Sequence, residues 1–269
     1  MLSLEHVYTA CSFFFCFYRE AGIMKGNIND SCMKQGCLTY TDEKGGLIML
    51  ELKLKSGEVK QCEAGAYVHE LLEAWNVKEA VYAVTLDGKL HDLNYRIKKS
   101  GALDYIYADS ETGKLIYERS LNFLFIVAVR SLFPDARVRM EHALSGGQYC
   151  EIDKEGYCKP QDVRKIEKRM KELIAANEVI HRRVVATAEA QAYFDRLGMK
   201  NKANLLACRK SATSSIYTLC GYDDYFYGIM LPDTSYLTHF SIRFYAPGVW
   251  LSAGNGFQNQ AKLFHVFQA

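Results

Sequence analysis

The chain has 269 residues, 49% of them hydrophobic and 24% charged, an ordinary globular composition that excludes a disordered chain and predicts one or two packed domains. Its 33 basic and 31 acidic side chains leave a formal charge of +2, so no global field drives it toward nucleic acid or an anionic membrane, and any RNA contact has to come from a local patch. Nine cysteines, at 11, 16, 32, 37, 62, 150, 158, 208 and 220, form an odd set without CxxC spacing, which reads as reduced thiols in a cytoplasmic protein and leaves no zinc ribbon.

Residues 7–18 (VYTACSFFFCFY) are apolar, but twelve residues are too few to span a bilayer, and no basic run or small-residue cleavage site marks a signal peptide. Two readings stay open: an over-extended start, with translation beginning at Met24 or later, or a short helix that docks on a partner. Residues 25–46 are rich in Gly, Asn, Asp, Ser and Lys without a sustained period, so 1–46 is expected to be a poorly ordered extension and tether.

From Leu47, LIMLELKLKSGEVKQCEAG alternates apolar and polar residues and breaks at Ser56-Gly57, the pattern of a hairpin with one buried face. AYVHELLEAWN then places Val68, Leu71, Leu72 and Trp75 on one helical stripe closed by Asn76. VYAVTLDGKLHDL carries the turn signal Asp87-Gly88, and ALDYIYAD is strand-like. Strand, strand, helix, strand, strand within about sixty residues predicts a ubiquitin-like β-grasp roll. With no acid, base or phosphate loop in it, residues 47–109 resemble the TGS domain of threonyl-tRNA synthetases, stringent-response enzymes and some GTPases.

The second region predicts a long apolar helix, KLIYERSLNFLFIVAVRSLFP, stopped by Pro134, then two strands around Ser145-Gly146-Gly147. Pro160 opens an amphipathic helix with Val163, Ile166, Met170, Leu173 and Ile174 on its apolar face. Its basic residues Arg164, Lys165, Lys168, Arg169 and Lys171 are interleaved with Glu167 and Glu172, the signature of a solvated face more than of a phosphate-binding one. VIHRRVVA reads as a strand. TAEAQAYFDRLG, entered by a Thr cap, and NKANLLACR read as helices. Residues 214–252 read as an aromatic-rich antiparallel sheet with turns at Pro232-Asp233 and Pro247-Gly248. The expected class is therefore α+β: a small β-grasp domain over 47–109 and a two-layer α+β domain over 110–253.

The element order in 115–251 resembles the second additional domain of threonyl- and alanyl-tRNA synthetases, where an HxxxH helix and a CxxxH strand build a metal-binding editing pocket. Laid on that pattern, YERSLNFLF puts Arg119 and Phe123 in the two histidine slots, and YFYGIMLPDTSYLTHF puts Phe226 and Met230 in the cysteine and histidine slots. None of these sets up a zinc site, since phenylalanine has no lone pair to donate, arginine is a permanent cation and a lone thioether is a poor ligand. Only the aspartate two residues before the cysteine slot survives, as Asp224. The seven histidines form no HxxxH or HxH pair.

The strings ERSLNFLFIVAVRSLFPDARVRMEHALSGGQYCEI, FDRLGMKNKANLL and DDYFYGIMLPDTSYLTHFSIRFYAPGVWL resemble the amino-terminal half of bacterial uridine kinase-like nucleoside kinases. That resemblance implies a non-catalytic accessory region, regulatory or RNA- or nucleotide-binding, ahead of a kinase domain that uses ATP and Mg. No G-x-x-x-x-G-K-[ST] string occurs here, so residues 254–269 are expected to begin a linker toward a kinase domain absent from this chain, which is the partner in cis, with tRNA or nucleotide as a possible ligand. The candidate pocket is Arg119, Glu141, His142, Asp224, Tyr225, Tyr227 and Tyr236, with no catalytic residue and no metal. Arg119 would clamp a phosphate or carboxylate while the tyrosines stack on a base. In the competing reading Arg119 pairs with Asp224 or Glu141 to fill the space of a lost metal. A freestanding tRNA-editing hydrolase and an RNA- or protein-interaction module are the other functions kept open.

Overall fold

The computed structural model describes residues 47–254. The apolar segment at 7–18, the tether at 25–46 and the expected linker after Gly254 lie outside the described residues. Contacts group the described chain into two compact units: 47–78 with 85–89 and 94–104, and 79–84 with 90–93 and 105–254.

The β-grasp sheet contains β1 (Met49–Leu54), β2 (Val59–Glu63), β3 (Val81–Leu86), β4 (Lys89–His91) and β5 (Gly101–Tyr107), with helix α1 (Val68–Ala74) between β2 and β3. The strand order is β2-β1-β5-β3-β4, with β1 and β2 antiparallel and β1 and β5 parallel, which is the roll expected from the sequence. Alternation decides the buried face: Leu50, Leu52 and Leu54 point inward, and Met49, Glu51 and Lys53 outward. On α1 only Val68 and Leu71 are buried, with Leu72 and Trp75 at the edge of the stripe. The two-residue turn between β3 and β4 is built by Asp87 and Gly88, both with positive φ, the geometry that Asp-Gly favours.

The second unit is organised around helix α2 (Glu111–Leu132). From Ser120 to Val129 every residue except Asn122 is buried, so this helix is apolar almost all round and runs through the core instead of along it. It begins three residues before the apolar run, because the Ser110 side chain accepts a hydrogen bond from the Gly113 N–H at 3.0 Å. Helix α3 (Pro160–Ala175) packs on α2 through Val163, Ile166, Met170 and Leu173. Two sheets complete the unit. One orders β6 (Arg137–Leu144), β7 (Gly147–Asp153), β11 (Ser241–Tyr245) and β12 (Gly248–Ser252) as β11-β12-β7-β6; the other orders β8 (His181–Ala186), β9 (Thr213–Leu219) and β10 (Tyr222–Tyr225) as β10-β9-β8. Helices α4 (Thr187–Arg196) and α5 (Lys200–Ala207) pack on each other, and residues of both join a second small core with Ile216 of β9.

The architecture is mixed α+β, as expected, with two local corrections. The aromatic-rich segment 214–252 does not make one sheet: β9 and β10 pair with β8, β11 and β12 pair with β7, and residues 226–240 leave both ladders and include a short 3-10 turn at Thr234–Tyr236. Thr187 is not a cap either. It is the first helical residue, and its hydroxyl donates to the Ser211 carbonyl at 2.7 Å and meets the Ser214 hydroxyl at 2.9 Å.

The junction of β12 with β7 has no spare room. A Cβ on Gly248 would lie 2.2 Å from the Cys150 carbonyl oxygen, so Gly248→Ala has to push two paired strands apart. A loss of about 1–3 kcal/mol, read as a lower midpoint in thermal or urea unfolding, is expected.

Candidate binding site

Two successive turns of α2 carry Arg119 and Ser120, then Phe123, and they meet the segment 226–231 that leaves β10. The buried Ser120 hydroxyl donates to the Ile116 carbonyl at 2.8 Å and accepts from the Leu231 N–H at 2.9 Å, which pins that segment to the helix. Beside it, an Arg119 Nη1 donates to the Ile229 carbonyl at 2.5 Å. Gly228 (φ 94°) lets the guanidinium approach, since a Cβ there would stand 2.8 Å from Arg119 Cζ. The Tyr217 hydroxyl, from β9, donates to the Gly228 carbonyl at 2.6 Å. One turn further along α2, the Phe123 ring meets the Phe226 ring with centroids 5.3 Å apart, and Phe123 (0% exposed) and Met230 (1%) are both buried.

The four slots of the metal pattern are thus occupied by a cation turned to a backbone carbonyl, two packed aromatic rings and a buried thioether. These residues do not fit a metal ion: the set offers no imidazole, thiolate or carboxylate, and its cation would repel one. Among the described residues no group of three or more His, Cys, Asp and Glu side chains is placed to hold an ion. Burial lowers the Arg119 pKa, and the hydroxyls of Tyr217 and Tyr227 together with the Glu118 carboxylate oppose that shift.

The expected pairing of Arg119 with Asp224 or Glu141 does not form. Asp224, on β10 and 2% exposed, instead takes the Lys202 amine of α5 on Oδ1, which also accepts the Tyr225 N–H at 2.6 Å; its Oδ2 is buried without a hydrogen-bond partner. Next to it, Asp223 binds Arg183 of β8 at 2.6 Å and accepts from the hydroxyls of Tyr193 and Thr218. Arg209, just past α5, donates to the Tyr225 hydroxyl and lies over two rings, with Cζ 5.5 Å from the Tyr225 centroid and 5.3 Å from that of Tyr227. Tyr227 is 76% exposed.

Of the sequence candidates, Arg119 and Tyr227 therefore come together, with Asp224 and Tyr225 on the strand leading into the same segment. Glu141 and His142 stand on the exposed part of β6, where Glu141 meets Arg139 at 3.3 Å and the His142 ring lies 5.5 Å from that of Tyr149. Tyr236 is partly buried against the main core. Lys202, Arg209, Arg183 and Tyr217 were not singled out by the sequence. A basic residue on a strand, within a short helix or just after it carries no local signal, and only the fold reveals their partners on β10.

The basic face of α3 behaves as a solvated surface. Arg169 pairs with Glu172 at 3.1 Å and Lys171 with Glu167 at 2.6 Å, exposed contacts worth about 0.2–0.5 kcal/mol each.

Buried neutral groups in the core of the second unit set an alkaline limit. Burial pushes the Tyr217 and Tyr117 hydroxyls up to about 12, and the Cys150 thiol on β7 also to about 12. All three are acids raised in the folded state, so their contribution is fully present below their unfolded values, near 9 for the thiol and 10 for the phenols, and is lost as pH rises toward 12. Unfolding free energy is expected to fall between about pH 9 and 12, with the lower part of that fall reduced in Cys150→Ala, as measured by urea unfolding across pH.

No protein-family model matches the chain. It is 30% identical over 203 residues, 75% of its length, to a protein named threonine–tRNA ligase from Pelobacter propionicus, covering 32% of that protein. It is 31% identical over 205 residues to the threonine–tRNA ligase of Burkholderia lata (75% of this chain, 32% of the relative), and 29% identical over 220 residues to that of a Geobacter species (81% and 34%). The similarity is to a threonyl-tRNA-synthetase-like region, and the chain spans about a third of the length of these curated relatives.

Proposed function

We propose that this chain is a non-hydrolytic accessory region, cytoplasmic, that binds RNA or a nucleotide through the segment between β10 and the 3-10 turn. The observation that carries the reading is the packing of Arg119, Phe123, Phe226 and Met230 where an editing scaffold would gather metal ligands. Hydrolysis of an aminoacyl ester needs an activated water, and a metal or a general base supplies it. Here the carboxylate on the strand that leads into the segment, Asp224, is engaged by Lys202. What remains is suited to holding a ligand: a guanidinium, aromatic faces and backbone carbonyls.

The test is a pair of assays on the full chain. Binding to tRNA across a salt series is expected to be measurable and to weaken steeply as salt rises, because phosphate contacts release counterions. Deacylation of mischarged tRNA is expected to stay at the uncatalysed rate. Turnover well above that rate would replace the accessory reading with the editing hydrolase.

A finer reading places this region in a uridine kinase-like nucleoside kinase, with ATP and Mg used by a further domain that is its partner in cis. It rests on the three strings that resemble that family, and the curated relatives give it no support. Its test is the complete coding sequence: a P-loop beyond this region sustains it, and a synthetase catalytic domain in its place removes it while leaving the accessory reading intact.

A further inference from the structure

Four basic groups surround β10 and the segment that follows it, and they divide into two kinds. Lys202 is neutralised by Asp224 and Arg183 by Asp223. Arg119 and Arg209 form no ion pair with a carboxylate among the described residues, although both are partly buried, and the Arg209 Nε is buried without a hydrogen-bond partner. Both guanidiniums bear on the same five residues, Tyr225–Ile229. Arg209 lies over the rings of Tyr225 and Tyr227, and Arg119 sits against Gly228 and donates to the Ile229 carbonyl. Partly buried cations that lack a counter-charge are costly unless an anion offsets them. Between them stands Tyr227, a large aromatic side chain left 76% exposed.

We propose that Arg119 and Arg209 hold the phosphate of a nucleotide whose base stacks on Tyr227. The guanidinium fork matches phosphate oxygens in a bidentate fashion, and an exposed ring beside it accepts a base of any identity. Tyr225, with its hydroxyl engaged by Arg209, keeps that guanidinium in place. The ligand chemistry is a phosphate joined to a nucleobase, supplied by a free mononucleotide or by the end of an RNA strand. This deepens the reading of the region as a nucleotide- or RNA-binding module and rests on it.

Isothermal titration calorimetry on the full chain tests the site with uridine, uridine 5′-monophosphate, inorganic phosphate, and a short RNA bearing either a 5′-phosphate or a 5′-hydroxyl. The monophosphate is expected to bind about tenfold or more tighter than the nucleoside and than inorganic phosphate, and the phosphorylated RNA tighter than its hydroxyl form. Arg209→Gln and Tyr227→Ala are each expected to weaken the monophosphate by about tenfold. Both lie outside the packed core, so they carry the test even if Arg119→Gln, which faces the core backbone, fails to fold. Lys171→Gln on α3 leaves the affinity unchanged. Phosphorylated RNA binding far tighter than the mononucleotide identifies RNA as the source, and the reverse identifies the free nucleotide. Equal affinity for nucleoside and monophosphate, or full affinity in Arg209→Gln, overturns the site. If RNA still binds with no dependence on Arg209 or Tyr227, this site is wrong and the accessory reading stands; if neither RNA nor nucleotide binds, both fall.

Discussion

Lys202→Met is expected to lower the unfolding free energy by about 3 kcal/mol, because it strips the amine from a carboxylate that is almost wholly buried. Asp224 is 2% exposed and its Oδ2 already lacks a partner, so after the change it keeps only the Tyr225 N–H. Part of the Lys202 side chain reaches solvent, and water entering along that path holds the loss to the lower end of the range for buried pairs. A second change separates the loss of attraction from the stranding of a charge. Lys202→Met with Asp224→Leu is expected to recover most of the stability, since two apolar side chains leave no unpaired charge. Urea unfolding of the wild type, both singles and the double completes the cycle; a single that unfolds like the wild type would show the pair to be ornamental.

Phe123→Ala is expected to cost about 3–5 kcal/mol. The ring is wholly buried, packs on Phe226 and lies on the helix that runs through the core, so its removal leaves a cavity with little freedom to collapse. Phe123→Leu, closer in volume, should lose less than half as much. This separates two accounts of the same residue. If position 123 still served a binding role with its packing incidental, the alanine variant would unfold close to wild type and lose ligand affinity instead.

Much of the fold was legible in the sequence, and the reasons are physical. Leu50, Leu52 and Leu54 alternate with polar neighbours, Asp87-Gly88 supplies the positive φ of a tight turn, and Pro160 starts α3, so each local rule agrees with the tertiary result. Local rules failed where the deciding contact is remote. Gly113 looks like an interruption before the apolar helix, yet its N–H is the one that Ser110 caps. The strands of 214–252 alternate alike, and nothing in that period says that β9 and β10 join β8 while β11 and β12 join β7. The site divided in the same way. The replaced slots at 119, 123, 226 and 230 came from laying the synthetase pattern on the sequence, and the rings of Phe123 and Phe226 do meet. The electrostatics were not readable: Asp224 turned to Lys202, 22 residues earlier, and Arg119 to a backbone carbonyl. Arg209 reaches Tyr225, 16 residues later, and Tyr227 beyond it, a separation that no sequence period encodes.

Arg119, Phe123, Phe226 and Met230, the positions that the synthetase resemblance would give to metal ligands, pack and clamp instead of coordinating. Elemental analysis of the full chain, purified after expression with zinc and dialysed without chelator, measures this most directly. Trace metal only, far below one ion per chain, is the predicted result. One zinc per chain, lost together with stability when chelator is added, would contradict it.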